Sequence, residues 1–169
     1  MIKGGEFLIT DQKSNDIFIP EEFTEEQKMM ASATTEFVEK ELDPHRERFE
    51  KKDYKLTEDC MKKAGELGLL GIGVPTEYGG MGMPFNTSVL ICDKISGANG
   101  SFSTAFGAHT GIGTLPILLY GDKQQRERYL PKLATGEWMG CYCLTEPGAG
   151  SDANSGKTKA VLSEDSKSY

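Results

Sequence analysis

The sequence has little that could cross-link it, span a bilayer or grip a nucleic acid. Its 169 residues hold only four cysteines, Cys60, Cys92, Cys141 and Cys143, and two histidines. Met1 to Ile9 contains one lysine and an apolar run far too short for a signal-peptide core, and an arginine-rich transit helix is also lacking. A disulfide framework is therefore not expected, and reduced thiols in a cytoplasmic compartment are. Cys141 and Cys143 form a lone C-x-C with no partner pair, which argues against a zinc site. No apolar stretch approaches the ~20 residues that a membrane span needs. Basic residues are outnumbered, 19 to 26, for a net charge of −7. The pairs Lys51-Lys52 and Lys62-Lys63 are diluted by acids and read as solvated helix faces, so no nucleic-acid surface is expected. Internal repeats and low-complexity segments are absent as well.

What remains is an ordinary globular balance, long enough for one core. Residues 1–22 read as an irregular arm, closed by Pro20 and Glu21-Glu22. Thr24, with Gln27 three residues on, forms a capping box, and Met30, Ala33, Phe37 and Val38 follow at helical spacing until Pro44. A second helix is expected from about Thr57, with Met61, Ala64 and Leu67 on one stripe and Gly68 just past its end. Leu69 to Gly80 is punctuated by glycine and proline and reads as a loop. Pro84 or Asn86 opens a third helix through Val89, Leu90 and Ile95. Ser101 to Gly113 carries no charge apart from His109, which predicts a helix buried on several sides. Leu115–Tyr120 continues as an apolar turn or helix. Asp122 and Gln125 form another capping box for a helix through Tyr129, Leu130 and Leu133, with Pro131 expected to disturb it and Gly136 to close it.

From Glu137 the pattern changes. Trp138 to Thr145 is a short apolar and aromatic run that reads as a strand, and Thr158 to Leu162 alternates like a second. Ser163 to Lys167 is a turn signal, with a returning strand expected from Tyr169. The expected fold is mainly α: packed helices over 23–136, then over 137–169 the opening of a β domain.

The stretch with chemical content is Tyr142-Cys143-Leu144-Thr145-Glu146-Pro147-Gly148-Ala149-Gly150-Ser151-Asp152. A strand end leads through a hydroxyl and a rigid proline into a glycine-rich turn. Such glycines let backbone N–H groups approach an anion, and serine adds a donor. The spacing is neither a dinucleotide fingerprint nor a P-loop. On residue chemistry alone, a phosphate-binding loop and a tight surface turn both remain open.

This stretch resembles the flavin-binding signature of acyl-CoA dehydrogenases, and other segments match the same family in order. Leu67 to Ile72, with Pro75 and Glu77-Tyr78-Gly79-Gly80, is similar to the family's helix-to-loop segment. Tyr120-Gly121-Asp122-Lys123-Gln124-Gln125, Tyr129 to Ala134 and Gly136-Glu137 are similar to the segment before the signature. The resemblance covers residues 23–169. It implies an N-terminal helical domain followed by the start of a middle β-barrel domain, with FAD as cofactor. It further implies that Tyr142, Leu144 and Thr145 line the flavin ring. Gly150 and Ser151 would reach the FAD pyrophosphate, Gly148 would also bind the cofactor, and Ser151 would also touch acyl-CoA. The family's reaction removes an α-proton from an acyl thioester and passes the β-hydride to flavin N5, giving a trans-2-enoyl-CoA in fatty-acid β-oxidation. Acyl-CoA, an electron-transfer flavoprotein and other copies of the full-length chain are the partners implied. The family's catalytic glutamate and a Trp-Ile-(Thr/Ser)-Asn segment belong to later parts of the sequence. No catalytic residue is expected in this chain, Glu146 included, and the isolated chain is expected to be inactive. Gly4-Gly5-Glu6-Phe7-Leu8-Ile9 and Gly107-Ala108-His109-Thr110-Gly111-Ile112-Gly113 resemble the very-long-chain members and their bacterial relatives. On that likeness Gly107 and Gly111 would leave room for a long acyl tail, with close helix packing as the alternative and His109 a hydrogen-bonded core residue. A non-catalytic acyl-CoA or flavin binding module on the same scaffold is the competing function.

Overall fold

A computed structural model describes residues 6–11, 13 and 17–169. Much of the expected arm, including Gly4 and Gly5, lies outside the described residues. Seven α-helices carry the chain from Glu25 to Ala134, and no strand forms among the described residues.

Helix α1 (Glu25–Phe37) starts at the expected capping box. The Thr24 hydroxyl accepts from the Gln27 N–H at 3.2 Å, and the Gln27 side chain accepts from the Thr24 N–H at 2.9 Å. The face it buries differs from the apolar spacing: Gln27, Thr34, Phe37 and Val38 are buried, while Ala33 is exposed. The two polar residues sit there because each finds a partner. The Gln27 amide donates to the Thr87 hydroxyl at 2.7 Å and to Asn86 Oδ1 at 3.0 Å, and the Thr34 hydroxyl donates to the Met30 carbonyl at 2.8 Å. Past Phe37 the rod continues through a π turn (Val38–Leu42) and a tight turn holding Pro44 into α2 (Arg46–Glu50). Pro44 sits at the start of a new short segment, where its missing N–H costs no intrahelical bond.

Helix α3 (Tyr54–Glu66) begins earlier than Thr57, behind an Asp53 carboxylate that accepts from the Leu56 N–H at 3.0 Å. Leu56, Cys60, Met61 and Ala64 are buried, whereas Leu67 is exposed. Gly68 ends the helix at φ +76°, a left-handed conformation that favours glycine. Helix α4 (Phe85–Ser96) follows Pro84 and buries Thr87, Ile91 and Ile95. Helix α5 (Gly100–Ala108) is capped by Asn99, whose side chain accepts from the Phe102 N–H at 2.9 Å. It runs on into a π turn at His109–Gly113. This uncharged rod is not buried on several sides: Phe102, Phe106 and His109 face inward, while Ser101, Thr104 and Ile112 are exposed.

Helices α6 (Leu115–Tyr120) and α7 (Lys123–Ala134) complete the body, α7 behind the reciprocal Asp122–Gln125 box. Helix α7 continues uninterrupted past Pro131. Burial of Leu130, Leu133 and Ala134 on both sides of the proline holds the helix, and the carbonyl left free belongs to the exposed Glu127. At the centre the Phe102 ring lies 6.0 Å from Phe37 and 5.9 Å from Phe49, among Leu42, Leu70, Ile91 and Ile95. A smaller cluster of Val74, Leu130 and Ala134 ties α7 to the loop after α3.

The two expected strands, at 138–145 and 158–162, do not form. An extended segment needs a partner edge, and most backbone groups upstream are spent inside helices, so nothing among the described residues pairs with them. A single bridge, Glu146 with Ala149, stands alone, and the expected turn at Ser163–Lys167 is present.

Candidate functional site

Between α4, the α5 rod and the loop at 69–74 lies a cavity of about 580 Å3. Its wall is largely carbon, from Leu70, Ile72, Val89, Phe106 and Leu115, and among the described residues Asp93 is the one charged residue that lines it. Helix α4 serves two masters: Thr87, Ile91 and Ile95 face the core, while Val89, Cys92 and Ser96 face the cavity. Gly107 and Gly111 line the cavity too, one turn apart on a shared face. A Cβ added to either would meet nothing within 4 Å, so close packing against a neighbour does not account for either glycine.

The π turn that carries Gly111 also holds the next segment. His109 is 1% exposed and bonds through both ring nitrogens. Nδ1 lies 2.9 Å from the Gly140 nitrogen and Nε2 lies 3.0 Å from the Leu133 carbonyl. A backbone N–H can only donate and a carbonyl can only accept, so the ring is neutral with its proton on Nε2. Burial pushes its pKa below the ordinary histidine value, with the Leu133 carbonyl opposing. The extra residue of the π turn frees a carbonyl, and the Thr114 hydroxyl takes it, donating to His109 O at 2.7 Å. Gly113 meets Gly140 backbone to backbone, where a Cβ would lie 2.6 Å from the Gly140 carbonyl carbon.

Trp138 docks the start of this segment on α7. Its N–H donates to the Lys132 carbonyl at 3.0 Å, and Lys132 Nζ sits 4.4 Å from the centre of its ring. Beyond Gly140 nearly everything is exposed. Tyr142, Leu144, Thr145, Gly148, Gly150 and Ser151 all lie on the surface, with Ala149, 4% exposed, buried among them. Glu146 and Ala149 exchange backbone hydrogen bonds of 3.0 and 3.1 Å, closing a turn around Pro147-Gly148. The Glu146 carboxylate accepts from the N–H groups of Lys157, at 2.7 Å, and Thr158, at 3.0 Å. Those two donors hold its pKa below the usual carboxylate value. A carboxylate gripping two amides is a loop clasp. The hydroxyls of Thr145 and Ser151 and the N–H groups of Leu144, Thr145, Gly150 and Ser151 make no hydrogen bond among the described residues. A Cβ on Gly148 or Gly150 would meet open space. Free donors, bare glycine backbone and exposed Tyr142 and Leu144 together suit a ligand with a planar ring and an anionic group.

The sequence-derived residues thus form two groups: Gly107 and Gly111 at the cavity, and Tyr142 to Ser151 on the exposed segment. His109 joins them through Gly140. Sequence reading missed α4 and the 69–74 loop as cavity wall. Val89, Cys92 and Ser96, spaced three and four apart, share one helix face, but the sequence reading grouped Val89 with Leu90 and Ile95. Among the described residues no cluster of metal-ligating side chains occurs and no helix is long and apolar enough to cross a membrane. All four thiols are free; Cys60 is buried, and burial pushes it up to about 11.

Residues 24–137 match the family model described as acyl-CoA dehydrogenase, N-terminal domain. A probable acyl-CoA dehydrogenase of Bacillus subtilis (strain 168) is 49% identical over 167 residues, 99% of this chain and 28% of that protein. Mitochondrial isovaleryl-CoA dehydrogenase of Bos taurus is 37% identical over 80% of this chain and 32% of its own length. Among solved structures, an acyl-CoA dehydrogenase complexed with FAD from Bacillus anthracis superposes with a TM-score of 0.92 at 46% identity, covering 98% of this chain and 28% of that one. The chain therefore spans about a third or less of the length of these relatives.

Proposed function

The chain belongs to the acyl-CoA dehydrogenase family, and from that premise we propose that it supplies one wall of the acyl pocket and part of the FAD site of a flavoprotein. The complete protein would oxidise acyl-CoA thioesters to trans-2-enoyl-CoA in fatty-acid β-oxidation. The observation that carries this reading is the arrangement about one π turn: an apolar cavity at Gly107 and Gly111 on one side, a donor-rich glycine segment anchored at Gly140 on the other.

FAD, when bound, supplies the hydride acceptor. Tyr142, Leu144 and Thr145 are assigned to its ring system, Gly150 and Ser151 to its pyrophosphate and Gly148 to the cofactor, with Ser151 shared with acyl-CoA. The Thr145 hydroxyl and the neighbouring N–H groups are donors for a ring that gains negative charge on reduction. Gly107 and Gly111 leave depth for an acyl tail. No catalytic base is assigned here, since Glu146 is committed to the loop. The assigned organisation is an arm at 1–22, a helical domain at 23–136 and the opening of a β-barrel domain at 137–169, whose strands pair only in the complete protein. An electron-transfer flavoprotein is the proposed electron acceptor, other copies of the complete chain the proposed oligomeric partners, and the cytoplasm the proposed compartment.

The test is to purify the complete protein and add a long-chain acyl-CoA without oxygen. Bound FAD should lose its visible absorbance as the enoyl thioester forms. A protein that binds FAD and acyl-CoA with no bleaching would favour the non-catalytic binding module, and one that takes up neither would overturn both readings.

A further inference from the structure

We propose that His109 is a positioning residue, a neutral imidazole bridge that sets where the flavin segment leaves the helical body. The proposal rests on the flavin reading of Tyr142–Ser151, but its geometry stands by itself. Gly140 is the last residue before that segment whose backbone is held by the helices, through its N–H to Nδ1 and its contact with Gly113. The next two hydrogen bonds along the chain, at Glu146 and Ala149, are internal to the loop. Tyr142 follows Gly140 by only two residues, so a shift at Gly140 is passed on almost undiminished to Tyr142, Leu144 and Thr145.

A histidine suits this place chemically. The gap lies between a donor, the Gly140 N–H, and an acceptor, the Leu133 carbonyl, on two different segments. A neutral imidazole presents an acceptor on one edge and a donor on the other, at a fixed separation across a rigid ring. The ring is almost fully buried, so neither bond is shared with water. The same residue sits between Gly107 and Gly111, so the helix lining the cavity and the segment assigned to the flavin share one rigid joint. Of the charged residues flanking its two partners in sequence, Lys132 and Glu137 pair with each other at 2.8 Å.

The bridge is tested first in the 169-residue chain by nitrogen NMR. The expected result is a protonated Nε2, an unprotonated Nδ1, and a Gly140 amide that exchanges at least tenfold more slowly than those of Tyr142 and Cys143. In His109→Phe, which keeps a ring and loses both bonds, that protection should fall to the level of its neighbours. The complete protein then reports on position. His109→Phe should weaken FAD binding roughly tenfold, the scale of one lost buried hydrogen bond. His109→Asn, which keeps an acceptor near the place of Nδ1, should recover most of the affinity, while His109→Gln, which reaches toward Leu133 instead, should not. A merely structural role would lower the melting temperature of all three and leave FAD affinity per folded molecule alike, which would overturn the proposal. So would a Gly140 amide as unprotected in wild type as in His109→Phe. A wild-type complete protein that binds no FAD would overturn the flavin reading and the positioning role with it, and a protected Gly140 in that protein would locate the failure in the function and not in the bridge.

Discussion

Gly113 and Gly140 touch backbone to backbone: a Cβ on Gly113 would lie 2.6 Å from the Gly140 carbonyl carbon, and one on Gly140 would lie 3.1 Å from Gly113. A methyl group at Gly113 has no flexible side chain to push aside, so the two segments must separate. Gly113→Ala should destabilise the chain by about 1–3 kcal/mol, as overpacking does. Gly107→Ala is the contrast, since its Cβ meets nothing within 4 Å. In a helix, replacing an unhindered glycine with alanine stabilises by about 0.5–1 kcal/mol. Urea unfolding of the two variants should move in opposite directions, and equal loss in both would mean that the open space beside Gly107 does not decide the outcome.

The burial of His109 makes stability depend on pH. Burial holds the folded-state pKa of His109 below 6.5, so the folded ring stays neutral where the unfolded chain takes up a proton. Its contribution is present in full above pH 6.5 and is lost as pH falls from there toward the folded-state value. Within that window the slope should approach, and not exceed, about 1.4 kcal/mol per pH unit. Subtracting the urea stability of His109→Gln from that of wild type between pH 7.5 and pH 5 removes the carboxylates and His45, which are common to both. The difference should shrink as pH falls, and a constant difference would mean that His109 titrates alike in both states.

Gln27 is the buried polar link between α1 and α4. Gln27→Leu keeps much of the volume but leaves the Thr87 hydroxyl and the Thr24 N–H without their partners. The expected cost is about 1–3 kcal/mol. Thr87→Val in the same background should cost less than it does alone, because the hydroxyl it removes is already orphaned, and a double-mutant cycle reads that coupling. Strict additivity would mean that the 2.7 Å contact carries no energy.

Which of these features were legible beforehand follows a physical rule. Thr24 with Gln27 and Asp122 with Gln125 were readable because a capping box is a local contract between residues three apart. Gly68 was readable for the same reason. Gln27 and Thr34 as core positions were not, because a buried polar residue is recognised by its partner, and Thr87 lies 60 residues from Gln27. Pro131 misled because local helix chemistry was overruled by the burial of Leu130 and Leu133. The strands expected at 138–145 and 158–162 misled in another way. The apolar run of the first and the alternation of the second are real, but pairing is a property of two segments and the sequence of one does not supply the other. The assignment of Tyr142 to Ser151 to a flavin rests on the pattern of a resemblance. The cavity wall of Val89, Cys92 and Ser96 was not legible, since a second uncharged helix face does not say what fills it.

Gly111 offers the sharpest test of what fills the cavity. It lines the wall beside Gly107, Thr110 and Thr114, and a side chain grown from it would enter empty space. Gly111→Leu should therefore fold, with little change in melting temperature, and shorten the cavity from that side. If an acyl tail occupies this space in the complete protein, the leucine displaces its distal methylenes, each of which contributes about 0.8 kcal/mol when buried. Excluding three would lower kcat/KM for a long acyl-CoA roughly 50-fold. A short acyl-CoA never reaches that depth and should be turned over nearly as before. The measurement is the ratio of kcat/KM for a long and a short acyl-CoA, in wild type and in Gly111→Leu. A collapse of the ratio places the tail along the Gly107–Gly111 face. A parallel loss for both substrates, with the protein still folded, would place the tail elsewhere and leave the cavity to some other occupant.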